Sequence, residues 1–159
     1  MKDTYVCCFT GHRKIDREDL DKLNELLDRV MEKLIERGTR EFRTGGALGF
    51  DTLAALTVLK KREKYPQIRL HLMLPCKDQA AKWSDEDKQK YEYILKRADE
   101  VTYTSEKYTS SCMLLRDRRL VEGSDFCIAY CKRDTGGTAY TLSYAKEMSL
   151  STLNIAMMI

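Results

Sequence analysis

The sequence lacks most of what would mark a membrane, extracellular or nucleic-acid-coating protein. No apolar run approaches the ~20 residues of a membrane span. Lysine plus arginine total 28 against 25 acids, a net charge of +3. That balance argues against a protein living on nonspecific phosphate contacts and leaves room only for a local basic cleft. Histidine occurs twice, at His12 and His71, with no ligand-like spacing to cysteine. No C-x-x-C pair is present among the six cysteines, and Cys127 and Cys131 would stand ~13 Å apart on a strand. A structural zinc site is therefore not expected, and no motif requires a metal. Proline occurs only twice, and no linker, repeat or low-complexity tract breaks the chain. The first residues, Met1-Lys2-Asp3-Thr4-Tyr5, carry no signal-peptide features, so a cytoplasmic location is expected.

What is present suits a single packed domain over 1–159, with 43% hydrophobic residues. Apolar runs at residues 4–9, 41–43, 68–74, 101–103, 126–130 and 153–158 read as strands. The first and fifth are nearly continuous, as in strands covered on both faces. Between them lie helical patterns. Leu20, Leu23, Leu27, Val30 and Leu34 form one stripe, with Asp16 as its cap and Asp19 as the acid of a capping box. Asp51 opens a second helix, Ser84 caps a third over 85–98, Ser110 caps a fourth to Glu122, and a fifth covers 139–148. Strict alternation predicts an α/β fold: a Rossmann-like three-layer α/β/α arrangement around a mainly parallel sheet of about six strands.

Three glycine-bearing turns follow predicted strands and precede predicted helices. They are Thr10-Gly11-His12-Arg13, then Thr44-Gly45-Gly46-Ala47-Leu48-Gly49-Phe50-Asp51, then Asp134-Thr135-Gly136-Gly137-Thr138. Such turns bring backbone N–H groups to the positive end of a helix, a recipe for holding phosphate. At the ends of parallel strands they line the edge where open α/β sheets bind ligands. The Gly45-Gly46-x-x-Gly49 spacing is not the dinucleotide fingerprint. Gly11, Gly45, Gly46, Gly136, Gly137 and Thr138 are the expected phosphate cradle, though Thr135 or Thr138 could equally serve as plain helix caps. Arg13 can pair with phosphate through two N–H groups, and His12 can donate to it or carry a proton. His12 also has a purely structural reading at a helix start. Asp51 fits either a helix N-terminal carboxylate or a partner for a ribose hydroxyl. Of Arg116-Asp117-Arg118-Arg119, one arginine is expected in the cleft, with Arg116 favoured. Trp83 either stacks on a base or covers the core edge, and Tyr108 and Met113 are candidates for the same wall.

Phe9-Thr10-Gly11-His12-Arg13, Gly45 to Asp51, Gln79-x-x-x-Trp83, Arg116-Asp117 and Gly136-Gly137-Thr138 occur in that order. The pattern resembles the YpsA-like branch of the SLOG superfamily, over nearly the whole chain. That superfamily joins the DNA-processing protein DprA to the LOG phosphoribohydrolases. The resemblance implies a Rossmann-like fold with a cleft above the strand ends. It also implies a nucleotide or ADP-ribose-type ligand, a sensor or regulator role, and a link to stress or cell division. One departure matters: the glutamate of the LOG Gly-Thr-x-x-Glu segment is Thr141 here. A hydroxyl cannot replace a carboxylate that activates water, which argues against hydrolysis of an N-glycosidic bond. The expected partner is a small nucleotide, with magnesium entering only as a companion of its phosphates. Two alternatives stand beside it: a nucleotide N-glycosidase, and a DprA-like binder of single-stranded DNA. A homodimer is expected from the same resemblance.

Overall fold

A computed structural model describes residues 4–159. Met1–Asp3, and with them part of the N-terminal segment read above, lie outside the described residues. Six strands form one sheet: β1 (Tyr5–Gly11), β2 (Thr39–Thr44), β3 (Arg69–Leu74), β4 (Glu100–Tyr103), β5 (Phe126–Tyr130) and β6 (Ser151–Asn154). Their order is β4-β3-β2-β1-β5-β6, and every pairing is parallel. Five helices connect them: α1 (Leu20–Glu36), α2 (Phe50–Lys64), α3 (Asp85–Arg97), α4 (Cys112–Val121) and α5 (Gly137–Glu147). The fold is the expected three-layer α/β/α arrangement. Among the described residues no helix is long and apolar enough to cross a membrane.

The period-two geometry of strands divides the core. Cys7, Phe9, Phe42, Leu70, Leu72, Ile128 and Tyr130 face the layer of α1, α2 and α3. Cys8, Met73, Cys127 and Ala129 face the layer of α4 and α5. Adjacent Cys7 and Cys8 thus enter opposite cores, which is why β1 reads as a continuous apolar run. All six cysteines are buried and free, acting as small hydrophobes.

Several local readings need correction. The apolar stripe of α1 is centred on Leu23, Leu27, Met31 and Ile35, whereas Leu20 is 39% exposed. Asp16 and Asp19 make no capping bonds; both carboxylates instead accept from Lys132 Nζ, at 2.6 and 2.7 Å. Helix α4 starts after Ser111, not Ser110, and without a side-chain cap. Ser84 does cap α3, accepting from the Asp87 amide at 3.2 Å. The last strand is short: Asn154 ends it by accepting from the amides of Cys131 (3.0 Å) and Ala156 (3.2 Å), and Ile155–Met158 is a 3₁₀ turn.

Leu27 is fully buried in the larger core. Leu27→Ala should cost about 2–5 kcal/mol in chemical denaturation, while Leu20→Ala should stay within about 0.5 kcal/mol. Equal losses at the two positions would mean that α1 packs in another rotation.

Candidate functional site

The sheet order fixes where a ligand can enter. From β1 the chain builds β2, β3 and β4 to one side, and β5 and β6 lie on the other. The connections leaving β1 and β5 diverge to opposite faces, which opens a crevice above their C-terminal ends, the switch point of an open sheet. A cavity of about 520 Å³ lies there. One wall is Thr10–Lys14, leaving β1; another is the Arg133–Thr138 loop that leads into α5; Met113, Arg116 and Asp117 of α4 close the third. Ala47 and Asp51 complete it.

The inner end of the cavity is built around Arg116. Its side chain is buried, and its Nε donates to Asp117 Oδ1 at 2.9 Å. Nη1 donates to the carbonyl of Gly45. A Cβ at Gly45 would stand 2.4 Å from that guanidinium, so the glycine makes room for the arginine. Gly46 accepts from Gln79 Nε2 at 3.2 Å, and neither Gly45 nor Gly46 lines the cavity. Gly49 holds φ at 75°, and a Cβ there would lie 2.2 Å from the Arg13 carbonyl. Only glycine lets α2 dock so closely on the chain leaving β1. Gly11 is likewise crowded by Phe50. The second glycine turn therefore seats Arg116 and anchors α2, while the third faces the cavity directly.

Asp51 and Asp117 share the single Arg116 charge. Burial raises the Asp51 pKa to about 6, against the opposing pull of Arg116 and of the Ala47 amide, which donates to Oδ2 at 3.2 Å. Burial also raises Asp117, with Arg116 again opposing. Asp117 Oδ2 lies 3.8 Å from where a Gly137 Cβ would be, so it faces the start of α5. The Thr141 hydroxyl lies beside it and donates to the Gly137 carbonyl at 2.9 Å.

The outer end is basic. His12 is buried, and its Nε2 accepts the Lys132 amide at 2.8 Å. A ring nitrogen that accepts carries no proton, so neutral His12 holds its hydrogen on Nδ1. Burial, followed by Arg133, lowers the His12 pKa and keeps the ring neutral. Arg133 Nη2 stands 3.2 Å from that Nδ1. Two donors side by side cannot bond each other; together they fit one acceptor from a ligand. Lys132, the residue before, is turned away by Asp16 and Asp19, which raise its pKa. Arg13 and Lys14 are exposed on the same rim. Gly136 holds φ at 98° with open space around it, and α5 begins without a side-chain cap. The first amides of α5 thus open towards the cavity, as an anion requires.

Of the residues singled out in the sequence, Gly11, His12, Arg13, Asp51, Arg116, Gly136, Gly137 and Thr138 come together here, with Met113. Trp83 does not: it packs edge-on to Tyr91, with ring centroids 5.3 Å apart. Tyr108 is 63% exposed and also lies outside the lining. Arg133 and Lys14 were missed. Their signal was the same as that of His12-Arg13, namely basic residues directly after a buried strand. Elsewhere, Glu41, His71 and Glu100 bring possible ligand atoms within 4.8 Å. Glu41 is already tied to Arg43, and His71 Nε2 lies 2.8 Å from Thr102 Oγ1, so this group reads as an ion-pair cluster.

Because the Asp51 pKa is raised on folding, the folded state binds more protons between about pH 4 and 6. Its stabilising contribution is present below the unfolded value and is lost as pH rises through about 6. Asp51→Asn should therefore remove about 1 kcal/mol from the stability difference between pH 5 and pH 7, measured by denaturant melts. An unchanged difference would mean that Asp51 is ionised throughout.

The comparisons with known proteins agree with this architecture. The model of the YspA SLOG family matches residues 7–158. A UPF0398 protein of Halalkalibacterium halodurans is 33% identical over 117 residues, 72% of this chain and 62% of that protein. The prophage-derived protein YoqJ of Bacillus subtilis is 30% identical over 142 residues, 81% of this chain and 83% of YoqJ. Among solved structures, DprA of Streptococcus pneumoniae superposes with a TM-score of 0.67 at 13% identity, over 94% of this chain but 49% of DprA. DprA of Helicobacter pylori, described for its single-stranded DNA binding mode, gives 0.65 at 16% identity, over 93% of this chain and 63% of its own. These two show the fold alone, and the chain spans only part of each. With a family model covering both cores and all three glycine turns, the chain belongs to the YspA SLOG family.

Proposed function

We propose that this protein binds a nucleotide or nucleotide-derived ligand in the cavity between β1 and β5, and acts as a sensor or regulator rather than as a hydrolase. The observation that carries this reading is the convergence, at the switch point, of the His12 Nδ1–H, the Arg133 guanidinium and the uncapped start of α5. Each donates hydrogen bonds, and together with Arg13 and Lys14 they suit an anion such as phosphate. The volume of about 520 Å³ is in the range of small-molecule sites. Against hydrolysis stands Thr141, whose hydroxyl is engaged by the Gly137 carbonyl where LOG enzymes carry glutamate.

The likeness to DprA favours one other reading, in which the basic rim takes the backbone of single-stranded DNA. The two differ in salt dependence and in the size of the ligand.

A thermal-shift screen against nucleotides, NAD and ADP-ribose, with base release followed in parallel, tests the proposal. A ligand at ~100 times its dissociation constant adds roughly 2.7 kcal/mol, a shift of several degrees. Stabilisation without base release is expected. Gly137→Glu, which puts a carboxylate at the start of α5, should abolish it in a folded variant. Tight, salt-sensitive oligonucleotide binding with no response to any small nucleotide would replace this reading with the DNA-binding one.

A further inference from the structure

The cavity is polar in one direction. Its outer rim carries Arg13, Lys14 and Arg133, and His12 adds a neutral N–H donor there. Its inner end carries two carboxylates, Asp51 and Asp117, against the single guanidinium of Arg116. That guanidinium is already engaged by Asp117 Oδ1 and the Gly45 carbonyl, with the Met113 sulfur at 4.0 Å. A phosphate pushed past the first amides of α5 to the inner end would meet the buried Asp117 carboxylate, like charge against like charge. The anionic part of a ligand thus has one favourable place, at the rim, and the inner end calls for a group that donates hydrogen bonds.

The two carboxylates are not equivalent. Asp51 accepts the Ala47 amide and packs at the start of α2, so it serves the second glycine turn. Asp117 has Oδ1 on Arg116 and the Thr141 hydroxyl beside it, and its Oδ2 faces Gly137 and the cavity. An ionised carboxylate oxygen only accepts, and a sugar diol offers two O–H donors. Resting on the nucleotide reading above, the geometry points to an oriented ligand: its ribose hydroxyls on Asp117, its phosphate at the rim on His12 Nδ1–H, Arg133 and the first amides of α5. Asp117, not Asp51, is then the residue that recognises the sugar, and the site selects ribo- over deoxyribo-ligands. A buried carboxylate beneath the start of α5, which phosphate binding alone does not call for, becomes the selectivity element.

Calorimetric titration of the full chain tests this with the four nucleoside 5′-monophosphates, ADP-ribose, the 2′- and 3′-deoxy monophosphates, and the free nucleosides. A hydrogen bond to a charged acceptor corresponds to about 10- to 100-fold, so at least one deoxy form should bind that much more weakly than its ribonucleotide. Asp117→Asn should cut this ratio to a few-fold while leaving the preference for monophosphate over nucleoside. Arg133→Gln should do the reverse. The wild-type comparison needs no variant, so a misfolded Asp117→Asn protein would not shield the inference. Binding of ribo- and deoxyribonucleotides with equal affinity would overturn the orientation and leave the nucleotide reading standing. Tighter phosphate-dependent binding by Asp117→Asn would place the phosphate at the inner end and overturn it likewise. No binding by any of these compounds would remove both.

Discussion

A guanidinium buried beneath the cavity holds its inner end together. Arg116 reaches from α4 to the Gly45 carbonyl at the end of β2 and to the neighbouring Asp117 carboxylate. A buried charge without partners would cost several kcal/mol, so the arrangement stands or falls as a unit. Gly45 must lack a side chain for the arginine to enter, and Asp117 must stay close to balance its charge. Asp51 titrates near pH 6 because it is buried with the same arginine already shared. The inner electrostatics of the cavity, its carboxylates and its glycine turn all depend on this one side chain.

The outer end rests on a different constraint, the tautomer of His12. The Lys132 amide fixes it, and Lys132 is in turn held off by Asp16 and Asp19. Tyr130, at the end of β5, donates to Asp19 at 2.6 Å and stands edge-on to the His12 ring. A run of contacts therefore leads from the start of α1 through the end of β5 to the proton on His12. It leaves Arg133, the next residue along, aimed at the cavity. The rim is basic because of backbone direction as much as because of composition.

Parts of this were legible in the sequence. The continuous apolar runs at β1 and β5, the alternation with helices and the glycine turns were enough for the sheet, the layers and the edge where the cavity forms. Local propensity could not divide labour among the glycines. Gly45-Gly46-x-x-Gly49 looks like a cradle, but its function is set by an arginine 71 residues away in sequence. Asp16 and Asp19 have the spacing of a capping box and were claimed by a lysine more than 110 residues away. The last strand is shorter than its apolar pattern because Asn154, turned back onto Cys131, stops it for reasons that no window of neighbouring residues contains.

By itself the sequence determined which segments become strands and helices, because periodicity and chain-breaking residues act over a few positions. It also determined that several phosphate-compatible turns would gather at one sheet edge, since parallel strands joined by helices all point the same way. Only the tertiary structure decided which of those turns faces the cavity. It alone set Trp83 against Tyr91, brought Arg133 beside His12, and left Asp117 beneath the start of α5. Those outcomes depend on distances between residues far apart in the chain, and such distances exist only once the sheet order and the packing of α4 and α5 are complete.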